Sequence, residues 1–344
     1  MNSRSVKTLA LALLLGLPAN SAALARAYEP PIEVSASAVT SDALPPASIR
    51  LGKVTVTPDI TYSTVPGYRP MLLDLYRPAG NDARPLVIFL HGGSWTTGSK
   101  RASGHFADFP AVLASLAERG FVVASVEYRL SGEARFPAAL NDIKAAIRFL
   151  RANAAKYGID PNRVAVWGAS AGAHLAAMTA FTGDDLDFSQ PGIEHAEQSD
   201  RAQAFVGWYG PYDMSAVLLQ STATPSPADA AVAIDVPGPS RFFGCRADGC
   251  PPGVIEQASP INFVDKNDPP TLLIHGSADT AVPASHSKAL EERLKAAGVR
   301  SKLVIIDGVN HEWSGQELQT TAKASRKAIA ETFDWLEKTM KNAQ

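Results

Sequence analysis

The chain has 344 residues, 46% hydrophobic and 19% charged, enough apolar material for one large globular domain or two small ones, which excludes disorder over most of its length. Lys plus Arg number 32 against 34 Asp plus Glu, so there is no basic excess to hold a phosphate backbone, and nucleic acid is not an expected partner. Two cysteines exclude a disulfide-built scaffold and a four-cysteine zinc site, and leave room for one bridge.

At the N-terminus, Arg4 and Lys7 precede the apolar run Leu9–Leu17, and small residues follow, ending Ala23-Leu24-Ala25. This order is that of an export leader, so residues 1–25 are expected to be a signal peptide cut after Ala25, with Ala25-Arg26-Ala27 offering a second site. The run is too short to span a bilayer, and no later stretch approaches about 18 uninterrupted apolar residues, so no transmembrane anchor is expected. The product is expected to be periplasmic or extracellular. Residues 26–48, rich in Pro, Ala and Ser, read as a flexible linker, and the folded domain is expected over 49–341.

Two β-prone stretches open that domain, Lys53–Tyr62 and Met71–Tyr76, and suit a hairpin or paired edge strands. Six short apolar runs follow: Leu86–Leu90, Phe121–Val126, Val164–Trp167, Ala204–Trp208, Thr271–Ile274 and Lys302–Ile306. Runs apolar on both faces suit a parallel sheet covered on both sides. Helical segments alternate with them. Phe136, Leu140, Ile143, Ile147 and Leu150 form one stripe, with Pro137 in the first turn and Gly158 at the stop, and Ile329, Phe333, Leu336 and Met340 form another. The expected architecture is an α/β three-layer sandwich: a mostly parallel central sheet of about eight strands with helices on both faces. A Pro/Gly/Ala-rich, cap-like insertion over 211–268 follows the sixth strand, where such a stretch is usually functional.

The chemistry concentrates at Gly168-Ala169-Ser170-Ala171-Gly172, between a β run and an Ala-rich helix. Small residues flank Ser170 because a strand-to-helix turn this sharp excludes large side chains, and it lifts the hydroxyl above the sheet edge. A serine hydroxyl needs a base to take its proton and a carboxylate to orient that base. Downstream, Asp279 follows the run Thr271–Ile274 and His311 follows Lys302–Ile306, so both are expected at strand carboxyl ends on the same edge as Ser170. The loop His91-Gly92-Gly93-Ser94-Trp95 lets backbone amides converge with that of Ala171 on a developing oxyanion, each donor worth about 3 kcal/mol in the transition state.

Other residues compete for these roles. Asp213 is an alternative acid or a helix cap, while His174 reads as packing under the sheet and His91 as a brace for the glycine loop. His105, His195 and His286 have no motif around them, and Asp307 reads as a turn residue. No pair has metal-ligand spacing, so no metal and no cofactor are expected. Trp95, Trp208, Tyr209, Phe242 and Phe243 are candidates for an aromatic substrate pocket, though core packing explains each equally well. Cys245 and Cys250, in a turn-rich segment of an exported chain, are expected to pair.

The stretches Met71–Pro78, His91–Trp95, Val126–Leu130, Gly168–Gly172, His275–Asp279 and Asn310–Trp313 together resemble the α/β-hydrolase superfamily, closest to secreted bacterial esterases of the feruloyl and acetyl esterase type, with hormone-sensitive-lipase-like esterases more distant. The resemblance implies an exported carboxylic-ester hydrolase with Ser170 as nucleophile, His311 as base, Asp279 as orienting acid, and Gly93, Ser94 or Trp95 plus Ala171 as oxyanion donors. Ser94 stands at the third position of the family's common His-Gly-Gly-Gly motif, which leaves the donating loop amide open. A serine peptidase or amidase, including the kynurenine formamidase type, is the alternative on the same fold, and a catalytically dead binding protein is the rival outside it. Small-molecule and polymer-borne esters fit the pattern equally well.

Overall fold

The computed structural model describes residues 48–80, 82–188, 194–223, 238–245 and 249–341. The expected leader over 1–25, and the linker over 26–48 except Ser48, lie outside the described residues. Among those described, no helix is long and apolar enough to cross a membrane.

The strands are β1 (Ile49–Leu51), β2 (Val54–Ser63), β3 (Met71–Pro78), β4 (Arg84–Leu90), β5 (Val122–Val126), β6 (Ile159–Ala169), β7 (Ala204–Trp208), β8 (Thr271–Gly276) and β9 (Ser301–Ile306). They form one sheet in the order β1-β2-β3-β5-β4-β6-β7-β8-β9. The β1/β2, β2/β3 and β3/β5 pairs are antiparallel, and every pair from β5/β4 to β8/β9 is parallel. The fold is that of an α/β-hydrolase. Among the described residues the sheet has nine strands rather than about eight, because β1 is a three-residue edge strand whose exposed face carries no hydrophobic signature.

The apolar runs of β4 to β8 are strands with both faces buried, and that of β9, at the sheet edge, is half-buried. Leu86, Ile88 and Leu90 point into one core with α2 (Ala138–Ala152), α4 (Ala171–Phe181) and α8 (Ser285–Ala296). Val87 and Phe89 point into the other with α1 (Phe109–Glu118) and α9 (Leu318–Met340). Each such side chain contributes roughly 1.5–3 kcal/mol by leaving water. The α2 helix begins after Pro137, which caps it instead of occupying its first turn, and a short α3 (Ala154–Tyr157) ends on Gly158 at φ +67°. Within the insertion lie α5 (Met214–Ala223), α6 (Gly238–Phe243) and α7 (Val254–Gln257). Cys245 and Cys250 are joined by a disulfide with their Cα atoms 5.0 Å apart.

Candidate active site

Strand order brings the chemistry to one edge. β4 and β6 are neighbours with Leu90 paired to Gly168, so the glycine loop leaving β4 meets the turn leaving β6. That approach needs bare glycines: a Cβ on Gly168 would lie 2.1 Å from Gly172 O, and one on Gly172 would lie 2.1 Å from Leu90 O. Between them Ser170 sits at φ +54°, ψ −121°, a strained backbone for a side-chain-bearing residue, and α4 starts at the next position. The Ser170 N–H donates to Trp208 O at 2.9 Å and ties the turn to β7.

The structure brings Ser170, His311 and Asp279 into hydrogen-bonding contact. The His311 Nδ1–H donates to Asp279 Oδ2 at 2.7 Å, and Ser170 Oγ lies 2.9 Å from His311 Nε2. A carboxylate only accepts, so the proton belongs on Nδ1 and the Nε2 lone pair faces the serine hydroxyl. The loops carrying these groups are interlocked. Asn310 Oδ1 accepts from the Thr280 and His311 N–H groups at 2.9 and 2.7 Å, and Ala278 N–H donates to Val309 O at 3.0 Å.

Asp279 is shut away from water. Its Oδ1 accepts from the Ala281 and Val282 N–H groups at 3.0 and 2.8 Å. Burial alone raises a carboxyl, but here hydrogen bonds from His275 and His311, the His311 charge and the Val282 amide outweigh it and hold Asp279 well below the usual carboxylate range. His275 is the functional neighbour that sequence reasoning missed. Its Nε2 lies 2.8 Å from Val282 O and 3.3 Å from Asp279 Oδ2, both acceptors, so Nε2 carries the proton and Nδ1 accepts from Ser287 Oγ at 2.7 Å. The available signal was the four-residue step from His275 to Asp279 across the end of β8.

The glycine loop is held from two sides. Gly93, Ser94 and Trp95 run consecutively at φ +111°, +52° and +60°, and the Thr96 and Thr97 N–H groups both donate to Gly93 O at 3.0 Å. Just beyond it, buried Lys100 pairs with Asp59 and Glu127 at 2.8 and 3.0 Å, and Arg101 Nε donates to buried Asp74 at 2.6 Å. His91 Nδ1–H donates to Gly92 O at 2.7 Å while its ring stacks on Tyr128, a brace within the loop. Trp95 is buried against Phe242, and its indole N–H donates to His174 Nδ1 at 3.2 Å. His174 in turn donates from Nε2 to Ala258 O at 2.7 Å, and complete burial lowers its pKa to about 4.

Two cavities open at Ser170. The larger, about 330 Å³, is lined by Ser94, Trp95, Ala171, Pro211, Val217, Pro239, the loop Thr280–Val282, His286 and His311. The smaller, about 120 Å³, is lined by Gly92, Gly93, Gly98, Ala102, Ser103, Gly104, Ala169, Tyr209 and Glu312.

Trp95 and Tyr209 therefore line cavities, and Trp208, Phe242 and Phe243 line neither. Trp208 faces the α9 core, where its indole N–H donates to Thr332 Oγ1 at 2.9 Å, because alternation along β7 sends it to the face opposite Phe205. Phe242 and Phe243 pack inward on Trp95 and Phe136. Asp213 caps α5 by accepting from Ser215 and Ala216 N–H, and Asp307 accepts from Ser277 Oγ at 2.8 Å in its turn. His105 lies 3.9 Å from Glu312, and His195 packs beside Phe149.

The BD-FAE family model matches residues 73–294. Esterase LipC of Mycobacterium tuberculosis is 37% identical over 228 residues, which cover 65% of this chain and 52% of LipC. Carboxylesterase NlhH of the same species is 31% identical over 240 residues, covering 60% of this chain and 72% of NlhH. The chain spans about half the length of LipC and of Esterase LipQ, 52% and 53% respectively. A solved structure described as a truncated carbohydrate esterase from gut microbiota superposes with a TM-score of 0.65 at 27% identity, covering 83% of this chain and 96% of that one. A thermophilic esterase from Thermogutta terrifontis gives 0.63 at 26% identity, with 81% and 91% covered. With the family match running from β3 through most of α8, on a fold shared with those esterases, the chain belongs to the BD-FAE family.

Proposed function

We propose that this protein is an exported carboxylic-ester hydrolase working through an acyl-enzyme. The observation that carries the reading is the continuous line of contacts from Asp279 Oδ2 through His311 to Ser170 Oγ, at 2.7 and 2.9 Å. Ser170 Oγ attacks the ester carbonyl as His311 Nε2 takes its proton, and Asp279 holds the imidazole in the required tautomer and offsets its new charge. The carbonyl oxygen becomes an oxyanion beside Ser170, held by the N–H of Gly93, Ser94 or Trp95 together with that of Ala171. The Ala171 amide is in the first turn of α4 and has no partner within its own helix. His311 then returns the proton to the departing alkoxide, and the same imidazole activates water to release the acid. None of these steps requires a metal or cofactor.

The relatives named above are all esterases, which supports ester over amide substrates. Replacing Ser170 by Ala is expected to remove turnover of a short-chain activated ester by about 10⁶-fold with the fold intact. A fluorophosphonate probe should label wild-type Ser170, and full activity in the variant would refute the assignment. Export is supported by the Arg4, Lys7 and Leu9–Leu17 pattern and by the disulfide, which needs an oxidising compartment. Protein recovered from the periplasm should begin at Arg26 or Tyr28, and an uncut cytosolic chain would overturn that part.

A further inference from the structure

The smaller cavity beside Ser170 is polar at its wall in a way the ester-cleaving machinery does not use. Tyr209, 1% exposed, and Ser103, 4% exposed, both line it; their hydroxyls interact with each other, and among the described residues neither Tyr209 Oη nor Ser103 Oγ finds a well-formed hydrogen bond. One interaction between two buried hydroxyls leaves a donor and further lone pairs unused, so the pair beside one cavity marks a place for something that bonds to them. Water or a substrate hydroxyl can do so; an alkyl group cannot.

The surroundings define what enters. Gly104 keeps the space open: a Cβ there would come within 3.2 Å of Glu312 Cβ and 3.6 Å of Tyr209 Oη. Burial, assisted by the Glu312 charge, pushes the Tyr209 phenol far above its ordinary range, so it remains a neutral O–H donor at working pH. Glu312 also lines the cavity, and its negative charge acts on Tyr209 and repels anions. A phenol donor and a hydroxyl of either polarity beside a negative charge match a neutral hydroxyl and reject a carboxylate. At about 120 Å³ the cavity holds a fragment of a few heavy atoms. It also borders Ser170, so that fragment must lie next to the scissile carbonyl.

Resting on the ester-hydrolase reading, we infer that the cavity is a specificity subsite for a hydroxyl on a carbon adjoining the ester group, held by Tyr209 Oη and Ser103 Oγ. That hydroxyl can belong to a 2-hydroxyacyl group or to the monoester of a 1,2-diol. An isosteric methyl displaces the water that would otherwise satisfy both side chains and gives back no hydrogen bond, which is how such a site discriminates.

The test measures kcat/KM for two matched pairs. Ethyl 2-hydroxypropanoate against ethyl 2-methylpropanoate probes the acyl side, and 2-hydroxyethyl acetate against propyl acetate probes the alkoxy side. Each ratio is compared among wild type, Tyr209→Phe and Ser103→Ala, which cancels the intrinsic reactivity of the esters. On one of the two pairs, the wild-type ratio should exceed that of Tyr209→Phe by at least about tenfold. Ser103→Ala should fall between them and serves alone if Tyr209→Phe does not fold. The pair that responds identifies the source of the hydroxyl. Ratios equal in all three proteins on both pairs overturn the subsite while leaving ester hydrolysis standing. Failure of wild type to cleave any of the four esters or to react with a fluorophosphonate takes down the functional reading and this inference with it.

Discussion

The loops at the ends of β6, β8 and β9 and the insertion between β7 and β8 both face the larger cavity, yet they are built differently. The strand-end loops are cross-tied by main-chain and side-chain hydrogen bonds, such as Asn310 Oδ1 to two amides of separate loops. The insertion contributes Pro211, Val217 and Pro239 to the wall; the disulfide closes a small loop within it, and Phe242 stacked on Trp95 and Ala258 O accepting from His174 anchor it to the rest. On the proposed reading, the bond-making groups sit on parts fixed by the sheet and the space for substrate is shaped by a separately fastened piece. His174, on the helix behind Ser170, joins the two.

The sharpest way to break that division is on the strand-end side. Asp279→Asn keeps the shape but favours the wrong imidazole tautomer, and kcat is expected to fall about 10⁴-fold with little change in KM, read by steady-state kinetics on a short activated ester. A loss under tenfold would mean that His275 and the loop amides hold the imidazole without the charge.

The joint between the regions should show itself in pH. The folded protein holds His174 neutral down to about pH 4, whereas an unfolded histidine titrates near 6.5. Between those values the unfolded chain binds the extra proton, so stability is fully present above about pH 6.5 and is lost as pH falls towards 4, by an amount on the order of 3 kcal/mol. Urea melts at pH 7 and pH 5 should show the slope, and His174→Gln should flatten it.

Smaller effects should come from the insertion. Removing the disulfide with Cys245→Ser and Cys250→Ser is expected to lower stability by about 2 kcal/mol, through loop-closure entropy, while kcat on a small ester stays unchanged. Val217→Trp narrows the larger cavity. It should raise KM about tenfold for a bulky aromatic ester and leave a methyl ester untouched, a loss of roughly 1.4 kcal/mol. Equal effects on both esters would show that the insertion also shapes the reacting centre.

Much of this was legible in the sequence because a strand buried on both faces leaves an apolar run that few other structures explain: the six apolar runs are β4 to β9, and the two β-prone stretches are β2 and β3. The turn at Ser170 and the positions of Asp279 and His311 followed from the same pattern, since strand ends of a parallel sheet share an edge. β1 escaped because three half-exposed residues carry no period. For Trp208 the core reading holds, while Tyr209, one residue beyond the strand end at φ +39°, turns from the same core to a cavity, a local bend that spacing does not show. Phe242 and Phe243 could not be read because the insertion folds back on Trp95, a tertiary contact with no local signature. The four-residue step from His275 to Asp279 was the one signal of their contact, but the Val282 carbonyl that fixes the His275 tautomer depends on the path of the chain.

The contact of Gly168 with Gly172, and of Gly172 with Leu90 O, constrains how this protein can be studied by random mutagenesis. Adding one methyl at either glycine pushes the helix off the sheet, so changes there should vanish from the soluble pool instead of scoring as slow variants. A library screened for rate alone would record those two codons as blanks and undervalue them, although every productive clone depends on them.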